Sequence, residues 1–422
     1  MQILLLGSGG REHAFAWKLG QSPNCTHLYI APGNAGTRQF GTNVDLAVND
    51  FANIKKFVLD YGITMVIVGP EEPLVLGIYD YFAADPLCAN VAVIGPSAQG
   101  AQLEGSKAFA KQFMSRHDIP TAAYREFTAT TLAEGIVYLA SCATPIVLKA
   151  DGLAAGKGVV ILDTIAAAQH ELTEMLGGKF GAASAKVVIE AFLTGIEFSV
   201  FAISDGKNYQ ILPVAKDYKR IGEGDTGLNT GGMGAVSPPP FVDAALMQKV
   251  RDRIIAPTIK GLIQENIIYK GFIFFGLINV NSEPFVIEYN CRMGDPETEV
   301  VLPRLKNDLL DLCKHLHAGS LDTVTIQKDT RTAAAVMLVA GGYPESYEKG
   351  KIITGWAEMQ DCLVFQAGTA DLDGQIVTNG GRVLAITSLA DDYRAAVRNA
   401  LQNAGRINYE GKYYRTDIGF DL

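Results

Sequence analysis

Residues 284–299 read PFVIEYNCRMGDPETE. The opening half alternates as a β-strand does, and alternate side chains of a strand share one face. Glu288 and Asn290 therefore point the same way, ~7 Å apart along the backbone. An acid and an amide at this spacing suit Mg2+, which takes one or two protein ligands and completes its octahedron with phosphate and water. A solvated strand face would read the same way, but Arg292, Asp295 and Glu297 follow within a few residues and favour the metal reading. Cys291 alternates to the opposite face and is expected to be a packed small residue, not a nucleophile.

Upstream, KADGLAAGKGVV (149–160) holds two lysines apart with glycine and alanine. Glycine lets a backbone approach a ligand and donate its N–H groups, and lysine adds mobile charge, so the run reads as a phosphate-covering loop or as a small surface turn. It is not a Walker A motif: only three residues separate Gly152 from Gly156, and Gly158 stands where Ser or Thr would bind the metal. Lys149 ends the strand PIVLKADG, either as a surface lysine or as a neighbour of that loop. VVIEAFLTGIEFSV (187–200) runs a strand into a short connection and out again, bearing Glu190 and Glu197. LEGSKAFAKQFMSRHDIP (103–120) predicts an amphipathic helix that opens a second module, with Lys107 and Lys111 one turn apart and Pro120 as its stop.

In the first hundred residues the apolar runs QILLLG, THLYIA, TMVIVG and VAVIG alternate with helical patterns, the rhythm of a parallel α/β sheet. Ligands gather where such strands end, here at GSGGREHA (7–14), APGNAGT (31–37) and GPEEPLVLG (69–77). A dinucleotide reading of the first fails: Glu12 occupies the third glycine position, and no acid lies between Glu12 and Asp45 to hold a ribose. A helix N-terminus carrying Gly9, Gly10 and Arg11 still suits the phosphate of a sugar phosphate.

Composition narrows the class. A chain of 422 residues, 48% hydrophobic and 19% charged, has room for two to four domains. A formal charge of −9 without a long basic run argues against nucleic acid or an anionic membrane as main partner, so small ligands are expected. Six scattered cysteines without a CxxC pair fit reduced thiols in a cytoplasm. The start MQILLLGSGGREH lacks a basic n-region and is not expected to be a signal peptide. Apolar stretches such as GFIFFGLINV fall far below the ~20 residues of a membrane span. There is no GxSxG elbow and no HRD or DFG pair. His315 and His317, two apart on a helical pattern, are expected to be surface residues.

Eight segments now stand in order: GSGGREHA, PGNAGT, GPEEPLV, LEGSKAFAK, KADGLAAGKGV, YKRIGEGDTGLNTGGMGAVSP, IEYNCRMGDPETE and TNGGRVL. In this order and spacing the chain resembles the phosphoribosylamine–glycine ligase family, the glycinamide ribonucleotide synthetases of the ATP-grasp superfamily, over nearly its whole length. The resemblance implies an α/β (α+β multidomain) chain. Residues 1–103 would form a parallel-sheet domain on the phosphoribosylamine side. Residues 104–325 would form an ATP-grasp core with a small lid subdomain at 122–190, and 326–422 a mixed C-terminal domain. It also implies a cytoplasmic monomer that joins glycine to 5-phosphoribosylamine in purine biosynthesis, with ATP as co-substrate and Mg2+ or Mn2+.

Family roles follow the matching residues. Lys107 and Lys149 would meet the ATP phosphates under the 151–159 loop with Gly152, Gly156, Lys157 and Gly158. Glu190, Ala191 and Leu193 would receive adenine, Glu197 the ribose, and Glu288 with Asn290 the metal. Gly9, Gly10, Asn34, Gly36 and Glu71 would lie near phosphoribosylamine. Lys219, Arg220, Arg292 and Asp295, with Asp217, Gly231 and Gly232, would line the acyl-transfer centre. Tyr218, Leu228, Met293 and Ile196 depart from the family pattern, at positions where His, Pro, Phe and Glu are common. ATP would convert glycine to glycyl phosphate, which the amine attacks, so no protein nucleophile is needed and none is found; alignment and charge neutralisation would carry the reaction. Two rival readings are another ATP-grasp ligase or carboxylase, and a nucleotide-binding regulator that has lost catalysis. The N-terminal loops and GDTGLNTGGMG oppose the first, and the retained Glu288, Asn290 and Arg292 oppose the second.

Overall fold

Strands β1 (Gln2–Gly7), β2 (His27–Pro32), β3 (Thr42–Asn43), β4 (Met65–Val68) and β5 (Ala92–Pro96) pair in parallel in the order β5-β4-β1-β2-β3. Both faces are covered, which is why these strands read as unbroken apolar runs. Ile3 and Leu5 enter one core while Leu4 and Leu6 enter the other, as the two-residue period of a strand requires. Where the strand order reverses, the ends of β1, β2 and β4 present Gly7–Gly10, 32–36 and 69–71 on one edge. This computed structural model describes residues 1–152 and 158–422. The expectations for Gly156 and Lys157 lie outside the described residues.

The sheet continues past β5. Tyr269 and Lys270 of β16 (Tyr269–Val280) pair antiparallel with Pro96 and Gly95. On its remaining length β16 lies between β10 (Ile196–Ser204) and β17 (Glu283–Asn290), and β11 (Tyr209–Ile211) closes the edge beside β10. Nine strands thus form one sheet that joins residues before and after position 103. A four-stranded antiparallel sheet, β6 (Tyr124–Thr128), β9 (Lys186–Ala191), β7 (Ile146–Ala150) and β8 (Val159–Leu162), packs its own core against the helices Leu132–Leu139 and Ile165–Glu174. A third sheet runs β12 (Lys216–Asp217), β15 (Gly234–Ser237), β18 (Thr332–Val339), β22 (Arg382–Ala390) and β19 (Leu363–Gln366), and the helix Tyr393–Arg406 lies on it. Two hairpins complete the strands, β13 (Arg220–Gly222) with β14 (Thr226–Asn229) and β20 (Thr369–Leu372) with β21 (Gln375–Thr378).

The single helix expected over 103–120 is two helices, Ala98–Gly105 and Lys107–Arg116. Ser106 is extended between them, and its hydroxyl accepts from the N–H of Phe109 at 3.0 Å. A serine that caps the next helix breaks the run, and the second helix ends at Arg116, before Pro120 is reached. His315 and His317 sit half-buried and exposed on the helix Leu309–Ala318. No helix of the described residues is long and apolar enough to cross a membrane.

Candidate active site

Three charged residues from three elements meet at the junction of the nine-stranded and four-stranded sheets. Lys149, near the end of β7, is buried; its Nζ lies 3.1 Å from Glu190 Oε1 of β9 and donates to the carbonyl of Ile287 on β17 at 3.2 Å. Lys111 reaches the other oxygen of Glu190 at 2.8 Å and donates to Thr121 Oγ1 at 2.7 Å. Burial opposes ionisation of Glu190, but Lys149 and Lys111 hold its carboxyl below the usual carboxylate range. Burial lowers Lys111 to about 8 against the pull of Glu190. Two lysines around one carboxylate leave a surplus positive charge in a dry place. Asp151, just past β7, accepts from Ser106 Oγ at 2.9 Å and from the N–H of Ala108 at 3.1 Å, which ties the start of the glycine run to the start of the second helix.

Beside this group Lys107 Nζ stands 3.4 Å from Glu288 Oε2. Burial pushes the Glu288 carboxyl up, yet Lys107, Lys219, Lys149 and Arg292 together bring it down to about 2, so it stays an anion. Asn290 is buried two residues on in β17. Among the described residues no three His, Cys, Asp or Glu side chains cluster as a metal cage. A carboxylate and an amide oxygen on one strand fit a hard cation that takes its other ligands from phosphate and water. Glu197 pairs with Lys219 at 2.7 Å, and although its surroundings desolvate the half-buried Lys219, the charges of Asp217, Glu197 and Glu288 raise it well above the ordinary lysine value. From the last residue of β9, Ala191, the chain passes exposed Phe192 and half-buried Leu193 to exposed Ile196 at the start of β10, an apolar lip next to Glu190. Gly152 adopts φ +146° at the mouth of the loop, and the Gly158 carbonyl accepts from Ala150 N–H at 2.8 Å.

Arg292 carries the site to the first sheet. Its guanidinium lies 2.7 Å from Glu104 Oε1 and 3.4 Å from Glu71 Oε2, and it shares the carbonyl of Met293 with Arg11. Cys291, packed as expected, donates its N–H to Glu104 Oε2 at 2.8 Å. The helix Gly10–Leu19 points its N-terminus here. Glu12, in the third glycine position, accepts the Gly9 N–H at 2.7 Å and pairs with Arg11 at 2.6 Å, so it caps the helix. A methyl group at Gly9 would stand 3.2 Å from Asp295 Oδ2, and one at Gly10 would collide with Glu299 Oε1. Asp295 is paired with Arg382 at 3.1 Å. Burial and then Asp295 push Glu299 well above the carboxylate range.

Asn34 and Gly36 reach the same edge with their bonding already assigned. Asn34 Nδ2 donates to the carbonyls of Ser8 and Gln366 at 2.8 and 2.7 Å, while its Oδ1 accepts from Gly36 and Thr37. A side chain at Gly36 would collide with the ring of His13. Both residues shape the loop and lock it to β19. The loop after β12 returns through Gly231 and Gly232; Arg382 donates to the carbonyls of Gly231 and Asp295, and Gly232 lies against Pro296. Arg220 faces the outer hairpin, donating to Gly227 O at 2.8 Å. The structure thus brings together Lys107, Lys149, Glu190, Glu288, Glu197, Asp217 and Lys219, and links them through Arg292 to Glu71. It also assigns pairing roles to Lys111, Glu104 and Arg382. Sequence reading gave these none, although each sits in or beside a quoted motif, because a buried charge shows its partner only once folded.

Models of phosphoribosylglycinamide synthetase match the chain in three parts: the N domain over residues 1–104, the ATP-grasp (A) domain over 105–298 and the C domain over 333–421. The phosphoribosylamine–glycine ligase of Haemophilus influenzae is 46% identical over 426 aligned positions, covering 100% of this chain and 98% of that one. The chain belongs to the phosphoribosylamine–glycine ligase family. The crystal structure of the Thermotoga maritima phosphoribosylamine–glycine ligase superposes with a TM-score of 0.86 at 35% identity, covering 99% of this chain and 100% of that one. A Campylobacter jejuni biotin carboxylase in complex with an ATP analogue, at TM-score 0.75 and 14% identity, shares the fold. The family is one of ATP-grasp ligases, and the fold is the mixed α/β architecture expected of it.

Proposed function

We propose that the chain ligates glycine to 5-phosphoribosylamine at the expense of ATP, giving glycinamide ribonucleotide, ADP and phosphate through glycyl phosphate. The observation that carries this reading is the series of charged pairs from Lys149 and Lys107, past Glu288, to Arg292 and Glu71 at the strand ends of the first sheet. A nucleotide bound between the sheets and a sugar phosphate at the strand ends would meet along it. Lys107, Lys149, Gly152 and Gly158 would hold the ATP phosphates, with Ala191 and Leu193 beside the base. Glu190 is the buried anion that sets Lys149, and Glu197 reaches the nucleotide side from its pair with Lys219. Glu288 and Asn290 would hold Mg2+ or Mn2+, which when bound neutralises phosphate charge.

The protein's own groups align the reactants. Lys219 and Arg292 bring positive charge to the acyl-transfer centre, where negative charge develops as phosphate leaves. Gly9 and Gly10 open the helix N-terminus to the sugar phosphate. Asp295, held ionised by Arg382 and Arg11 against burial, stands at that opening. The division into 1–103, 104–325 with a lid at 122–190, and 326–422 belongs to the same reading, as do a monomeric state and a cytoplasmic location. The test is release of ADP and phosphate from Mg·ATP with glycine, with and without phosphoribosylamine generated in the same tube. Release that needs both substrates, with the ribonucleotide amide as product, is the expected result. ATP turnover independent of either substrate overturns the reading.

A further inference from the structure

The hairpin β13–β14 hangs from the site by Lys219 and Thr230, whose N–H and hydroxyl both donate to the Lys219 carbonyl at 2.8 Å. Residues 223–229 are exposed. Among the described residues, every hydrogen bond that joins residues 220–229 to another part of the chain comes from segment 413–417. Tyr413 donates its hydroxyl to the carbonyl of Ile221 at 2.9 Å. Arg415, fully buried, binds Asp225 Oδ1 at 2.6 Å and the carbonyl of Arg220 at 3.2 Å while Asp417 grips it with both oxygens at 2.8 Å. Asp417 accepts the Gly224 N–H at 2.7 Å, and Thr416 donates to Glu223. Four residues further on, Asp421 takes the Tyr218 hydroxyl at 2.9 Å and Lys216 Nζ at 3.1 Å. Segment 413–421 is itself fixed, because Tyr413 and Val339 of β18 exchange backbone hydrogen bonds at 2.8 and 3.1 Å.

We propose that segment 413–421 is a strap that positions the β13–β14 hairpin, with Arg415 as the positioning residue and Tyr218, one of the departures from the family pattern, as its second anchor. The hairpin's roots are Lys219, Gly231 and Gly232, so a hairpin held at its tip fixes the groups offered to the amino acid substrate. A fully buried arginine paired with two carboxylates is a costly arrangement for an ordinary surface loop, since a desolvated guanidinium needs every partner it has. Nothing in the strap touches Lys107, Lys149, Glu190 or Glu197, so its only route to the nucleotide side is through Lys219, and loosening it should fall on glycine first. The inference rests on the reading of the preceding section, in which Lys219 and the glycine loop serve the acyl-transfer centre.

The experiment compares Asp225→Asn, Tyr218→Phe, Arg415→Met and Arg415→Lys with the wild type. It measures glycine KM, kcat, affinity for a non-hydrolysable ATP analogue, melting temperature, and amide exchange of residues 220–229 without substrate. Asp225→Asn sits on an exposed tip and Tyr218→Phe removes one oxygen, so both should fold. Either should raise glycine KM about fivefold, and Arg415→Met about tenfold or more, with analogue affinity held. Exchange at 220–229 should quicken in all three, and Arg415→Lys should recover part of the loss. Unchanged glycine KM in Asp225→Asn and Tyr218→Phe overturns the strap. So does a rise in glycine KM matched by equal loss of analogue affinity and a lowered melting temperature, which marks a merely structural contact. A wild type that forms no ligated product overturns the functional reading instead, while the exchange data still report whether the hairpin is held.

Discussion

Glu297 shows how strongly one side chain can answer to its surroundings. It is buried, accepts from Ser199 Oγ at 3.2 Å, and faces Asp217, Lys219 and Arg292. Burial, then the negative charge of Asp217, pushes its carboxyl up to about 8 from 4.5. A group whose folded pKa exceeds its unfolded one binds its proton more tightly in the folded chain. Its stabilising effect is full below pH 4.5 and is lost as pH rises toward about 8. Glu297→Gln should therefore flatten the decline of melting temperature across that window, measured by calorimetry at several pH values; a slope identical to wild type would contradict the assignment. Glu288 and Asn290 were legible in the sequence because strand alternation alone put them on one face. The neutral state of Glu297 was not, because it comes from burial and from the negative charge of Asp217, which arrives from β12, and a motif records neighbours in the chain only.

At the scale of elements, the turn that carries Gly231 and Gly232 is under tight steric control. Gly232 has φ +121°, and a side chain there would collide with the ring of Pro296. Gly232→Ala combines left-handed backbone strain with overpacking and should cost ~2–4 kcal/mol, read as a shifted urea midpoint at unchanged slope. Full stability in that variant would mean the loop can shift away from Pro296. Elements of strong period were legible: the four apolar runs of the first sheet are strands, and 187–200 is a strand, a connection and a strand. The run 103–120 misled because Lys107, Lys111 and their apolar neighbours keep a helical spacing on both sides of Ser106. Periodicity does not register a serine that stops one helix and caps the next at the same residue.

On the scale of the whole molecule, the expectations about family and mixed α/β class hold, while the connections between sheets lay beyond sequence reading. The pairing of Tyr269 with Pro96 joins residues 173 positions apart, and only the fold brings such partners together. The same is true of Asn34, which ties the loop after β2 to Gln366. One of these connections bears on how the molecule can be taken apart. The third sheet takes two strands from before residue 240 and three from after residue 331. A chain nicked in 324–331 would leave β15 with a raw edge where β18 belongs, and unpaired edges invite sticking between molecules. Expressed singly, the larger piece should aggregate and be inactive. Produced together, the two pieces should find each other through that edge and regain ligation, which makes the protein a natural two-part reporter for whatever is fused to the halves. A soluble, fully active 1–326 piece would show that the shared sheet is dispensable.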